Sequence, residues 1–340
     1  MQLHAMSRSK RAAVVAAVIA LLIVGIMMIS LNTGSFRLSP YAVARTLVGL
    51  GNADERLVLF EYRMPRMLVA MLAGLGLGVA GAILQGLSRN SLADPGVIGL
   101  NAGAAFGLIA FMSFFPSLEG LPSLFIPLFT FGGGLLAAGI VVLLAYERNK
   151  GVLPMQLLLI GIAVSAGFSA LTLFFSLRLD EDTYAFAARW LAGTIWGRDW
   201  IHVAALVPWI AVLVPFTITR SKSLDAFAFG DEIAIGIGTS LHRNRLVLLG
   251  VAVALSCASV SMAGGIGFIG LIAPQLARRL VGPMHRHLLP VSGLVGMAVL
   301  AAADTIGRSL FQPIAIPAGV VVASISAPYF LYVLKKTKSI

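Results

Sequence analysis

The sequence predicts an all-α polytopic membrane protein of about ten transmembrane helices, with both termini in the cytoplasm. Three observations predict it. Of 340 residues, 59% are hydrophobic and only 11% charged, whereas a soluble domain carries about 25% charge. Ten apolar runs follow one another, at 12–31, 64–87, 96–115, 122–146, 153–175, 200–219, 245–264, 266–281, 288–311 and 315–334. Backbone in hydrocarbon must satisfy its own hydrogen bonds, so these runs are helices. The connections between them alternate in charge. One set carries Arg89, Arg148, Lys150, Arg220, Lys222, Arg243, Arg245, Arg278, Arg279, Arg286, Lys335, Lys336 and Lys338. The other carries Asp54, Glu55, Glu61, Asp180, Glu181 and Asp182. Basic residues collect in cytoplasmic loops, which places the first set inside and makes the number of spans even.

Each element has its own reason. Met1 to Arg11 is basic and leads into the first apolar run, which at about 20 residues is long enough to span. No A-x-A-like cleavage site follows, so the run reads as a retained helix and not a signal peptide. Asn32 to Arg63 is an outer connection with Pro40 and an amphipathic Tyr41–Leu50 stretch. Ser176 to Trp200 is another, in which Tyr184 to Leu191 can form a short surface helix. Trp190, Trp196 and Trp200 stand where interfacial aromatics are expected. The 266–281 run is short and contains Pro274. That proline removes a backbone donor, so a short or broken helix inside the bundle is expected. Gly74-x-x-x-Gly78, Gly99-x-x-x-Gly103 and Gly103-x-x-x-Gly107 are small-residue faces for close helix approach, within one chain or across a dimer.

The formal charge of +11 follows from the inner loops; no basic domain with interleaved aromatics points to nucleic acid. Cys257 is the single cysteine, which excludes an internal disulfide and a thiolate cluster. His285 and His287 lie in a basic loop with no carboxylate adjacent in sequence, so a solvated loop is expected there and not a metal site. Asp180–Asp182 has no second aspartate-rich partner and reads as solvated. Gly76/Gly78/Gly81 and Gly265/Gly267/Gly270 match G-x-G-x-x-G, but inside or at the end of apolar runs, where the βαβ context of a nucleotide site is missing. No G-x-x-x-x-G-K-[ST] loop occurs, so ATP binding by this chain is not expected. There is no H-E-x-x-H or G-x-S-x-G either.

Three arginines fall at the outer mouth: Arg63 and Arg66 at the start of the second helix, and Arg308 near the end of the ninth. Planar guanidinium forks suit bidentate carboxylate recognition. Asp304 stands four residues before Arg308, a spacing that allows an intrahelical pair. Gln85, Asn90 and Asn101 either line a path or bond between helices. Few acidic groups lie within the spans, which argues against ion-coupled transport. Arg220 to Arg245 is a long amphipathic interruption between two spans. It reads as a docking site for another protein centred on Asp225–Gly238, with the flanking arginines marking the membrane surface.

Several of these segments together resemble a known family. They are Tyr62-Arg63-Met64-Pro65-Arg66; Gly81 through Gln85, then Arg89-Asn90-Ser91-Leu92-Ala93-Asp94-Pro95-Gly96; Gly230-Asp231-x-x-Ala234 with Gly238; Gly265 through Pro274; and Ala303-Asp304 with Arg308, then Pro317-x-Gly319. In this order they resemble the membrane subunit of FecCD-type ABC importers of iron–siderophore, haem or cobalamin. Ser91, Gln275 and Ala315 depart from the family's usual proline, histidine and glutamate. The resemblance implies one permease domain over 1–340 in a bacterial cell membrane. It also implies a second permease subunit, identical or paralogous, and two cytoplasmic ATP-binding subunits that hold ATP and Mg, with no cofactor in this chain. An extracytoplasmic substrate-binding protein would dock on Arg63, Arg66 and Arg308. Asp225, Gly230, Asp231, Ala234 and Gly238 would form the ATPase-coupling segment within 220–245. An ion-coupled secondary transporter and a membrane-embedded lipid-modifying enzyme are the competing readings.

Overall fold

The computed structural model describes residues 7–34, 38–115, 123–148, 151–236, 240–310 and 315–337. Lys150, Gly238 and Lys338 lie outside them. Each of the ten apolar runs contains a helix. In chain order, α1 (Arg8–Asn32) is followed by short α2 (Pro40–Leu47), started by Ser39 and a proline at its first position. Next comes one continuous helical rod: α3 (Ala53–Arg56), a π-helical stretch Leu57–Arg63, and α4 (Met64–Ser88). The rod therefore begins at Ala53, about three turns before the apolar run that starts at 64. Arg89, at φ +52°, ends the rod. A 3-10 turn, Pro95–Ile98, leads to α5 (Leu100–Phe114) and α6 (Phe125–Ala145). A two-strand hairpin, β1 (Tyr146–Glu147) antiparallel to β2 (Gly151–Val152), precedes α7 (Pro154–Ser176).

Then come α8 (Glu181–Leu191), α9 (Trp200–Thr219), and two short helices, α10 (Ser221–Ala228) and α11 (Asp231–Gly236). The chain finishes with α12 (Leu241–Ala263), α13 (Ile269–Val281), α14 (His285–Ser309) and α15 (Ala318–Thr337). Among the described residues, seven helices are long and apolar enough to cross a membrane, with shorter apolar helices at Leu100–Phe114 and Ala318–Leu331.

Helix α4 runs through the middle, packed by α9, α12, α13 and α14. Its most apolar window is 83% buried, against 22% in α1 and 17% in α7. The two kinds of helix therefore differ in composition. α4 meets its neighbours through backbone, and α1 presents Val18, Leu21 and Leu22 outward. A Cβ on Gly81 would overlap the Gly270 carbonyl of α13, and one on Gly74 the Gly296 carbonyl of α14. The small-residue faces thus serve packing within the chain, as close van der Waals approach requires in lipid.

Pro274 does not break α13, which is continuous across it. The missing donor leaves the Gly270 carbonyl without its helical partner. Gln85 Nε2 of α4 lies 3.4 Å from that carbonyl and 3.1 Å from the Leu271 carbonyl. Two other expectations need correction. Trp190 is not interfacial: it is 1% exposed, on the buried face of α8, while Trp196 is 68% exposed. α8 also starts earlier than expected, because Asp180 accepts from the Thr183 amide as its N-cap and brings the acidic run into the first turn.

Candidate functional site: the two ends of the bundle

The arginine end is built where the π-helical stretch hands over to α4. Arg63 is only 6% exposed and donates to the Leu31 carbonyl at the end of α1. Arg66 is held by Asp304 of α14: Nη2 lies 2.6 Å from Oδ1, and Nε 3.1 Å from both oxygens. The expected Asp304–Arg308 pair is therefore corrected. Arg66 reaches Asp304 across the helix contact and donates to both carboxylate oxygens, the bidentate arrangement that binds most strongly. Arg308 instead donates through Nη2 to the Ser30 carbonyl (2.7 Å) and hydroxyl (2.9 Å). Arg63 and Arg308 converge on Gly34: a Cβ there would stand 3.2 Å from Arg63 Nη2 and 3.3 Å from Arg308 Nη1. The structure thus brings Arg63, Arg66 and Arg308 together. It also shows that Arg66 already holds a carboxylate of its own chain. The α1 terminus, Ser30 to Gly34, belongs to the site and carries no charged residue that would mark it in the sequence.

The other end lies one α4 length away, about 37 Å at 1.5 Å per residue. Here α10 and α11 fold back onto the bundle. Gly230 joins them at φ +103°, a backbone state that side chains disfavour. Asp225 Oδ1 accepts from the His285 amide (2.9 Å), and His285 Nδ1 lies 2.7 Å from the same oxygen. This is a favourable place for a carboxylate, at the N-terminus of α14. Burial pushes the Asp225 carboxyl up, but the hydrogen bonds from the His285 ring and amide outweigh it and hold the group below the usual carboxylate range. His285 is thus neither solvated nor far from a carboxylate, contrary to expectation; it is 4% exposed. The partner stands 60 positions away in the chain.

Asp231 Oδ1 accepts from two arginines, Arg89 Nη2 at 3.0 Å and Arg245 Nη2 at 2.9 Å. Arg245 was expected to mark the membrane surface. It is 2% exposed, also donates to the Val152 carbonyl (3.1 Å), and its guanidinium carbon lies 5.7 Å from the Phe227 ring centre. One buried cation therefore ties α11, α10 and the hairpin before α7. Ala234 is fully buried. Gly238 lies outside the described residues. The outward face of this segment is made by residues the sequence reading did not single out: Phe229, Ile233 and Ile235, exposed by 68%, 54% and 59%. Their signal was present, as apolar residues alternating with inward-facing ones across a polar interruption.

The three path candidates separate. Gln85 bridges α4 to α13 and also accepts from Arg278 (3.3 Å). Asn90 closes a turn on the Leu92 amide at 2.9 Å. Asn101 faces Gly96, whose Cβ would lie 3.0 Å from Asn101 Nδ2. In that connection Asp94 accepts from the Gly96 amide, and burial pushes its carboxyl up to about 6. Two of the departures from the family pattern meet here: Gln275 Nε2 donates to the Ser91 carbonyl at 2.8 Å.

Among the described residues, seven helices of membrane-crossing length and apolarity, packed around a glycine-faced central rod, define a polytopic membrane protein. The chain belongs to the FecCD transport family, whose model matches residues 20–336. It is similar to an iron(3+)-hydroxamate import system permease of Bacillus subtilis (strain 168), 42% identical over 97% of this chain and 99% of the relative. It is also similar to an Fe(3+) dicitrate transport system permease of Escherichia coli (strain K12), 36% identical over 94% and 98%. A cobalamin import permease of Halobacterium salinarum is 37% identical over 80% and 72%. Among solved structures, an inward-facing metal-chelate type ABC transporter superposes with a TM-score of 0.82 at 30% identity, over 94% of this chain and 98% of that one. Ion-coupled transport and lipid modification give way to membership of this importer family in the cell membrane.

Proposed function

We propose that this chain is the permease subunit of an ATP-driven importer of ferric siderophores, paired with a second permease subunit. Two cytoplasmic ATP-binding subunits hold ATP and Mg, and a binding protein delivers the substrate from outside. The observation that carries the reading is the exposed face of Phe229, Ile233 and Ile235 on a segment whose other side is locked to the bundle. An apolar helix face of this kind seats in a groove on a partner, and the absence of a phosphate-binding loop in the sequence makes the partner the ATPase. Asp225, Asp231 and Ala234 then act from behind, holding the segment so that displacement reaches the bundle. The iron–siderophore choice rests on relatives named for ferric hydroxamate and ferric citrate over nearly their whole length.

The orientation supports this arrangement. The proposed cytoplasmic end carries Arg89, Arg220, Arg245 and Arg279, and the arginine cluster is the outer mouth. Docking of the binding protein falls to the rim around Gly34, Arg63 and Arg308, with Arg66 positioned by Asp304. Proteoliposomes holding the permease with its ATPase subunits should take up radiolabelled ferric hydroxamate only with ATP and loaded binding protein. Uptake driven by an ion gradient alone would end this reading. Ile233→Ser with Phe229→Ser should abolish uptake and lower co-purification of the ATPase, while leaving thermal stability within about 0.5 kcal/mol, as surface changes do. Arg308→Glu should weaken binding-protein capture; unchanged capture would remove that rim from docking.

A further inference from the structure

At the proposed cytoplasmic end, away from the Asp231 cluster, α1, α13, α14 and α15 meet in a group of cations. Arg11 Nη2 donates to the Arg279 carbonyl at 3.3 Å, and Arg8 Nη1 lies 3.4 Å from Met284 Sδ. The Arg279 guanidinium carbon stands 5.5 Å from the Tyr329 ring centre. Arg286, two residues after Met284 at the start of α14, is exposed. Among the described residues none of Arg8, Arg11, Arg279 and Arg286 forms an ion pair with a carboxylate. The aspartates Asp225 and Asp231 at this end are taken by His285 and by Arg89 with Arg245.

A second observation points to a ligand. Among the described residues, Arg11 Nε and Tyr329 Oη are each buried without a hydrogen-bond partner. Buried polar atoms ordinarily have one, and the Arg11 N–H and Tyr329 O–H beside the Arg279 guanidinium call for an acceptor that none of the described residues supplies. The depth of the junction identifies its source. Arg11 is followed on α1 by the outward Val14, Val18, Leu21 and Leu22. The cations therefore stand directly below a lipid-facing stripe, at headgroup level.

We propose that this junction binds the phosphate of an anionic phospholipid, with Arg11 and Arg279 as its main donors and the acyl chains along α1. Basic pockets between helices on the cytoplasmic side are suited to such headgroups, each cation contributing roughly a fivefold preference. The site touches the start of α14, whose first residue Asp225 engages, so an occupied site braces the helix that anchors α10.

The test uses the full chain in detergent with equal amounts of phosphatidylglycerol and phosphatidylcholine, the retained lipid read by native mass spectrometry. Wild type should retain phosphatidylglycerol preferentially. Arg11→Gln with Arg279→Gln should reduce that preference by at least about fivefold. Arg11→Lys with Arg279→Lys should keep most of it, and Arg148→Gln, an exposed cation elsewhere at this end, should leave it unchanged. Equal retention of both lipids by wild type overturns the proposal without requiring any variant to fold. So does an equal loss in Arg148→Gln, which would indicate diffuse attraction, or displacement of the lipid by inorganic phosphate, which would indicate a free-anion site. In the same measurement on the permease–ATPase complex, loss of the ATPase subunit from the double Gln variant with lipid retention unchanged would overturn the proposal and assign the patch to a protein contact.

Discussion

The two ends of α4 carry the same chemistry, arginine against aspartate, arranged in opposite ways. At the arginine end Arg66 and Asp304 form a closed bidentate pair with side chains 14% and 5% exposed. Arg63 and Arg308 are fixed to backbone oxygens of α1. At the α10–α11 end one aspartate, 34% exposed, is shared by two arginines from different segments. The first joins two long helices already packed along their lengths. The second joins short helices that are otherwise held by the Asp225–His285 link and by a few buried side chains such as Leu224, Phe227 and Ala234. A pair of the first kind sets a fixed geometry. A pair of the second kind is a joint, tying α11 through Arg245 to the hairpin before α7.

This difference predicts a graded response to breaking each contact. Asp304→Ala leaves the Arg66 charge buried without its counter-ion, which costs about 3–5 kcal/mol. Thermal unfolding in detergent should show it, and Asp304→Ala with Arg66→Met should recover most of the loss. If the single variant is as stable as wild type, the closed pair is not a structural lock. Arg245→Ala should cost less, about 2 kcal/mol, because Asp231 is partly screened by water. Its larger effect should be functional, raising ATP hydrolysed per substrate moved. A variant with normal stoichiometry would show that the joint does not transmit motion.

Gly230→Ala forces a side chain into a positive-φ state, at about 1–2 kcal/mol. Hydrogen exchange should rise across 221–236 and stay unchanged in α4. The smallest effect is that of acid on Asp225. Its carboxyl sits below the usual range in the folded protein, so the link to His285 contributes above that range and is lost as pH falls through the lowered value. Exchange in α10 should therefore increase only under acid. An increase above the usual carboxylate range would assign the change to another group.

Much of this molecule is legible locally. Each apolar run became a helix, since in lipid a long apolar segment has no other way to satisfy its backbone. The glycine faces became packing surfaces for the same reason that they stood out: no side chain at Gly74 or Gly81 is compatible with the neighbouring carbonyls. Arg63, Arg66 and Arg308 could be grouped because orientation and span order put them at one mouth. The partner of Asp304 could not be read, because Arg308 stands four residues away in sequence and Arg66 is 238 positions away. Arg245 and His285 were misplaced for a related reason. A basic residue at the edge of a span looks like a surface marker until a distant aspartate folds over it.

What the sequence by itself determined is the class: helices, their order, the side on which charge accumulates, and the family signature that runs through them. These follow from transfer free energies and local spacing, which depend on short stretches of chain. Only the tertiary structure decided which charges neutralise each other, which face of Asp231–Gly236 remains open to a partner, and where cations stand without a carboxylate. Those outcomes depend on how helices far apart in the chain are brought to within 3 Å or so, the range at which a charged hydrogen bond forms. Length and hydropathy do not encode that distance.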